Sequence, residues 1–171
     1  LGSSSKASSH YATALGASSN AFSLYSTAIG YSTKAGANAT SIGYSANASG
    51  ASATAVGYSS KAVSSTTAVG YSANANGSYS TAIGYSANAS QSYSTALGCT
   101  DKASGGSSSS LGYYSSATGV YSTALGYFSS ATNSYATAVG DATASGMYSS
   151  AVGYQARASH TSSTAIGYYA K

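Results

Sequence analysis

The sequence predicts an all-β protein, a parallel β-solenoid of about twelve coils of 13–14 residues, occupying residues 1–171 as a single repeat domain. Three observations predict it: an aliphatic-glycine pair at a near-constant period, strict small-residue alternation beside that pair, and a composition that cannot build a globular core. The pair occurs at Leu1-Gly2, Leu15-Gly16, Ile29-Gly30, Ile42-Gly43, Val56-Gly57, Val69-Gly70, Ile83-Gly84, Leu97-Gly98, Leu111-Gly112, Leu125-Gly126, Val139-Gly140, Val152-Gly153 and Ile166-Gly167. Nine of the twelve intervals are 14 residues and three are 13. Self-similarity at a short fixed period is the mark of a solenoid, each repeat being one supersecondary unit. A unit this short has no room for two helices, so it holds two short strands and two turns.

The composition excludes the alternatives. Charged residues make up 5% of the chain, and there is no Pro or Trp. The 43% scored hydrophobic is largely Ala and Tyr, with the larger aliphatic side chains concentrated in the repeated pair. A Ser/Ala/Gly-rich chain would ordinarily be read as disordered, but a disordered chain keeps no register over twelve repeats.

One unit, Ser78 to Gln91, shows how each element arises. Alternate residues of a strand point to opposite faces. On the first strand this puts Tyr79, Thr81 and Ile83 on one face and Ser80 and Ala82 on the other. The residue before the aliphatic is Ala in ten of twelve coils and otherwise Ser41 or Ser110. On the second strand Ala87 and Ala89 alternate with Ser86 and Asn88, and the Ala89 position is Ala in all coils but one, where Ser145 stands. Only small side chains thus line one face of each strand, which makes a narrow, flattened roll with Ala and Ser inside. The aliphatic residue points out.

The Gly of each pair reads as the turn out of the first strand, where positive φ or close backbone approach is needed. The second turn is looser: Gly36, Gly50, Gly77, Gly105, Gly106, Gly119 and Gly146 fall there, and the one-residue deletions are expected there too. With neighbouring strands about 4.8 Å apart, twelve coils make a rod about 58 Å long.

A continuous outward row of Leu, Ile and Val is an apolar stripe that soluble monomers rarely expose. Leu15, Ile29, Ile42, Val56, Val69, Ile83, Leu97, Leu111, Leu125, Val139, Val152 and Ile166 are therefore the expected subunit interface, and the chain an obligate oligomer of two, three or four copies. Closed symmetric assemblies are the usual solution.

The net charge is +4. All six basic residues (Lys6, Lys34, Lys61, Lys102, Arg157 and Lys171) occupy one slot, five residues after the aliphatic, which Asn20, Asn47, Asn74 and Asn88 fill in other coils. Nucleic-acid binding calls for clustered positive charge, so the row reads as a solubilising ridge and no nucleic acid is expected. No apolar run is long enough to span a membrane. The chain starts inside one repeat and stops inside another, as a piece of a longer fibrous protein would.

The repeat resembles the head domain of trimeric autotransporter adhesins of the YadA type. That family's repeat is Asn-Ser-Val-Ala-Ile-Gly, two free positions, Ser or Ala, a free position and Ala. Tyr79-Ser80-Thr81-Ala82-Ile83-Gly84 followed by Ala87 and Ala89 carries the pattern, and Asn38-Ala39-Thr40-Ser41-Ile42-Gly43 matches at the leading Asn as well. The resemblance covers the whole chain. It implies a homotrimer of left-handed parallel β-rolls with the aliphatic row toward neighbouring chains, an extracellular or cell-surface setting on an outer-membrane-anchored protein, and attachment to host matrix, cells or abiotic surfaces. Similar repeats occur in some phage and viral fibres, so a virion fibre or a filament subunit stacking end to end is the second reading. Two departures stand out: Thr replaces the usual apolar residue in ten coils, and Tyr replaces Asn in seven.

Tyr is the unusual residue. Tyr31, Tyr44, Tyr58, Tyr71, Tyr85, Tyr113, Tyr127, Tyr154 and Tyr168 directly follow the Gly, the first five in consecutive coils, which predicts a ladder of stacked rings. Tyr11, Tyr25, Tyr79, Tyr93, Tyr121, Tyr135 and Tyr148 form a second row. An adhesive surface and a seal between subunits are the two readings of these rows. The Thr row from Thr13 to Thr164 suits strands; as an ordered hydroxyl array it resembles ice-binding solenoids, a third reading weakened by the aliphatic residue on the same face.

No catalytic site, metal or cofactor is expected. His10 and His160 stand near opposite ends of the rod, Asp101 and Asp141 elsewhere, and Ser without a neighbouring base is only a hydroxyl. Cys99, in a ladder position, reads as a quiet thiol. Asn38, Asn47, Asn76 and Asn88 fit Asn-x-Ser/Thr, a pattern that the repeat generates by itself.

Overall fold

The computed structural model describes residues 1–171 throughout. The backbone winds as a two-sided roll of strands and turns. Twelve strands from Lys6–Ala7 to Arg157–Ala158, two residues each, form a narrow sheet. Twelve strands from Thr13–Leu15 to Thr164–Ile166, three to five residues each, form a broad sheet. Every strand pairs in parallel with its counterpart one coil away, so the ladder runs along the rod: Thr67, Ala68 and Val69 sit beside Thr81, Ala82 and Ile83.

The interior follows from side-chain size. In the unit at 78–91, Ser80, Ala82, Ala87 and Ala89 are buried, while Thr81 is half-buried and Ile83 exposed. Alternation on strands this short leaves one or two inward positions per strand, and methyl- and hydroxymethyl-sized groups fill nearly all of the space between the sheets, Thr33, Thr66 and Asp101 being the larger side chains there. Serine has a further task at the end of the second turn. The buried Ser94, Ser108, Ser122 and Ser149 each donate their hydroxyl to the carbonyl three residues earlier, at 2.6–2.7 Å. This closes the turn and satisfies a polar group that burial would otherwise penalise.

Glycine after the aliphatic is obligatory for two reasons. Gly84 has φ +131, and a Cβ there would overlap the carbonyl oxygen of Gly98 in the next coil. The second-turn glycines Gly36, Gly77 and Gly119 crowd the next coil's backbone in the same way but without positive φ.

Three expectations are corrected. Tyr79 and Ser86 are not strand residues: both adopt left-handed backbone (φ 60 and 52), and the strands begin at Thr81 and Asn88. The same conformation recurs in both rows of turns, at Ser32, Ser45, Ser59 and Ser72 on one side and Tyr93, Tyr121 and Tyr135 on the other. Reversing the chain within so few residues requires it, although such backbone is uncommon for residues other than Gly, Asn and Asp. Second, the deletions between Ile29 and Ile42 and between Val56 and Val69 shorten the second turn, but the one between Val139 and Val152 shortens the first. There Gly140 (φ 93) passes through Asp141 to the strand Thr143–Ala144 with no left-handed residue between. Third, that shortening shifts the register, so Ala144, not Ser145, pairs with Ala131 and Ala158. The inner alanine row of the narrow sheet is unbroken.

Candidate assembly and attachment surface

The outer face of the broad sheet carries two parallel rows, Thr and aliphatic, two residues apart on each strand. Leu15 is 45% exposed, Ile42 36%, Ile83 39% and Leu125 44%. Ile29, Val56, Val69, Leu97, Leu111, Val139 and Val152 are half-buried by their neighbours in the row, and Ile166 is exposed at the last coil. None of the twelve belongs to the interior, which is Ala and Ser apart from Thr33, Thr66 and Asp101. Thr27, Thr40, Thr54, Thr67 and Thr81 are half-buried beside them. The strip is therefore flat, regular and largely apolar.

Stacked aromatic rings flank it. Tyr31, Tyr44, Tyr58, Tyr71 and Tyr85 stack face to face with ring centroids 4.9–5.1 Å apart and nearly parallel planes. The coil spacing of parallel strands imposes this distance, which lies within the favourable range for aromatic pairs. The ladder breaks at Cys99 and at Asp141 and resumes as Tyr113–Tyr127 (5.6 Å) and Tyr154–Tyr168 (5.4 Å). The second row stacks as Tyr11–Tyr25, Tyr79–Tyr93 and Tyr121–Tyr135–Tyr148 at 4.8–5.2 Å. These rings belong to left-handed turn residues, so they project from the corner of the roll.

Around coils 97–125 the pattern changes. The strands Thr95–Cys99, Ser109–Tyr113 and Thr123–Tyr127 run two residues further than their neighbours. Tyr114 and Phe128 take the turn position that Ser holds in the coils up to Ser86 and stack on each other, edge-on to Tyr113 and Tyr127 respectively. Desolvation in this block raises the Tyr113 phenol above its ordinary range, with smaller contributions from Tyr114, Cys99 and Tyr127. Tyr169 is raised by desolvation first and then by a hydrogen bond to Tyr168.

Asp101 is the residue that repeat-based reading overlooked. It occupies the inward slot of Ala87 and is fully buried in the roll. Its carboxylate accepts the Gly112 N–H at 2.6 Å and the Ser115 N–H at 3.0 Å, beside a buried Ser110–Ser115 hydroxyl pair at 2.6 Å. The signal in the sequence was a single acidic residue in a slot otherwise filled by Ala, Ser or Thr. The remaining site candidates stay apart: His10 and His160 are exposed turn residues near opposite ends, and Cys99 is half-buried.

A rod with a sealed interior of small residues, one continuous apolar strip and flanking aromatic ladders is a fibrous β-solenoid repeat protein. The family is set by the sequence match: the model of the YadA head domain repeat (2 copies) fits residues 1–19, 7–33, 35–60, 64–87, 75–98, 103–129, 117–143 and 144–170. The chain belongs to the YadA head repeat family. Cys99 to Lys102, the stretch that holds Asp101, falls between two of the matched segments. No curated protein matches the chain by sequence.

Proposed function

We propose that the chain is the head or shaft of a homotrimeric, extracellular, non-enzymatic adhesin, packed through the broad sheet and presenting its tyrosine ladders for attachment. The observation that carries this reading is the exposed aliphatic strip. Fully burying such a side chain is worth about 1.5–3 kcal/mol. Five of the twelve are 36–70% exposed and the other seven less so, so closing the strip over twelve coils gives about 4–14 kcal/mol per chain. That is comparable to the roughly 4–15 kcal/mol cost of association, and the Thr methyls and nearby Tyr rings add to the favourable side. The aromatic ladders are interrupted, at Cys99 and Asp141 among other places, whereas the aliphatic strip runs through all twelve coils, so association supplies the aliphatic core that the fold lacks.

Attachment is assigned to the Tyr31–Tyr85 ladder because its rings stay 45–56% exposed along five coils. Tyr offers large amphipathic contact area at low entropic cost. The test is a triple Tyr44→Ser, Tyr58→Ser, Tyr71→Ser variant in a panel of matrix, cell and abiotic surfaces. Attachment is lost while the solution mass is kept. Attachment retained by the variant removes the ladder from the binding role, and a change in mass makes the ladder a subunit seal instead.

A further inference from the structure

The outer face of the narrow sheet is a donor-only row. Register pairing places Lys6, Asn20, Lys34, Asn47, Lys61, Asn74, Asn88 and Lys102 in single file on consecutive strands. The four lysines are exposed. In Asn20, Asn47, Asn74 and Asn88 the side-chain Oδ1 is turned inward, buried and without a partner, which leaves each Nδ2 facing outward. Eight successive side chains therefore offer ammonium or amide N–H groups and no accessible acceptor. No carboxylate lies among these eight: Asp101 is inside the roll, and Asp141 falls beyond them, in the turn between Gly140 and the strand Thr143–Ala144. The row continues through Ser116, Ser130 and Thr143 to Arg157, still without an acid.

We propose that this row binds a linear acidic polysaccharide laid along the rod. From Lys6 to Lys102 it spans seven strand steps, about 34 Å. Between Lys6 and Lys61 the ammonium groups recur every second coil, about 9.6 Å apart. A uronic-acid polymer with one carboxylate per disaccharide repeats on nearly that length. Its carboxylates meet the lysines, and the hydroxyl and ether oxygens between them meet the intervening asparagine amides. Duplex DNA fits less well, since its charge recurs every ~1.7 Å, and a single strand would find no aromatic ring in the row on which a base could stack. The face points away from the broad sheet, so the proposal requires the roll but not the trimer, and it concerns a different surface from the tyrosine ladder.

The experiment titrates the full chain at low ionic strength against end-labelled hyaluronan fragments, which carry one carboxylate per disaccharide and no sulfate. Dextran serves as the neutral polymer and a DNA duplex as the denser polyanion. Saturable hyaluronan binding, weakened by salt and absent with dextran, is expected. The Lys34→Gln, Lys61→Gln pair weakens it about tenfold, the scale of two exposed ion pairs. Asn47→Asp, which sets a carboxylate between those lysines, weakens it as well, while Gln91→Ala, at an exposed turn outside the row and the tyrosine ladders, leaves it unchanged. Circular dichroism melts matching the parent show that each variant folds, and the Asn47 variant carries the test if the lysine pair does not. Absence of hyaluronan binding, binding indifferent to the row variants, or DNA binding as tight and as dependent on the same lysines overturns the proposal.

Discussion

Replacing Asp101 separates the carboxylate's role from its size. The side chain fills a slot where other coils hold Ala, Ser or Thr, so Asp101→Ala leaves a lining that the roll accepts elsewhere. The variant loses two hydrogen bonds to a charged acceptor, worth about 1.5–3 kcal/mol each. It also removes the desolvation penalty of a buried carboxylate, several kcal/mol. It also leaves the Gly112 and Ser115 N–H groups without that acceptor, at about 1–3 kcal/mol each, so relief of the buried charge offsets only part of the loss and a net destabilisation of about 2–5 kcal/mol is expected. Asp101→Asn removes the charge but keeps the shape and one of the two bonds. Its oxygen satisfies one of the Gly112 and Ser115 N–H groups, and its Nδ2 confronts the other, leaving donors facing each other in a sealed interior. An unsatisfied buried donor costs about 1–3 kcal/mol beyond the lost bond, while this variant too is relieved of the buried charge, so a loss of about 1–3 kcal/mol is expected. Guanidinium denaturation ranks the variants, and amide hydrogen exchange at Gly112 and Ser115 localises the effect. An Ala variant as stable as the parent, or unchanged exchange at both amides in Asp101→Asn, refutes the reasoning.

Two further predictions bear on the interior and the aromatic block. Ala82→Val adds two methyl groups where the facing sheet leaves no space; overpacking of this kind costs about 1–3 kcal/mol, and thermal melting is expected to drop while Thr81→Val on the outer face leaves it nearly unchanged. Because desolvation raises the Tyr113 phenol, unfolded chains lose that proton first as pH climbs. The stabilising contribution is complete below the ordinary tyrosine range near pH 10 and is lost above it, as pH rises through the raised folded value. Tyrosinate absorbance should show a late-titrating ring that Tyr113→Phe deletes; a curve unaltered by that change counts against the block.

The parts of the fold legible in the sequence were those fixed by side-chain size and period. Ala and Ser can only line a thin interior, the aliphatic residue next to Ala82 must face the other way, and Gly84 stands where no Cβ fits. Stacking of Tyr31 to Tyr85 followed from the repeat itself. The turns were less legible. Period-two alternation extends as readily through Ser86 and Tyr79 as through true strand residues, and nothing in Ser or Tyr announces left-handed backbone. The shortened turn at Asp141 was hidden because a deletion can be placed in either turn of a coil until the pairing of Ala131, Ala144 and Ala158 fixes it. Asp101 escaped notice for a physical reason: burying a carboxylate is unfavourable unless donors await it, and the Gly112 and Ser115 amides become visible only in three dimensions. The donor-only character of the Lys/Asn row likewise depends on which way four amides turn.

The central claim is that the aliphatic strip of the broad sheet is a subunit interface. The most direct test is the solution mass of the chain by light scattering over a hundredfold concentration range, alongside Ile83→Lys, whose outward side chain leaves the roll intact. The account predicts a fixed mass of three chains for the parent and folded single chains for the variant. A folded parent monomer, or a trimer indifferent to a lysine in the middle of the strip, contradicts it.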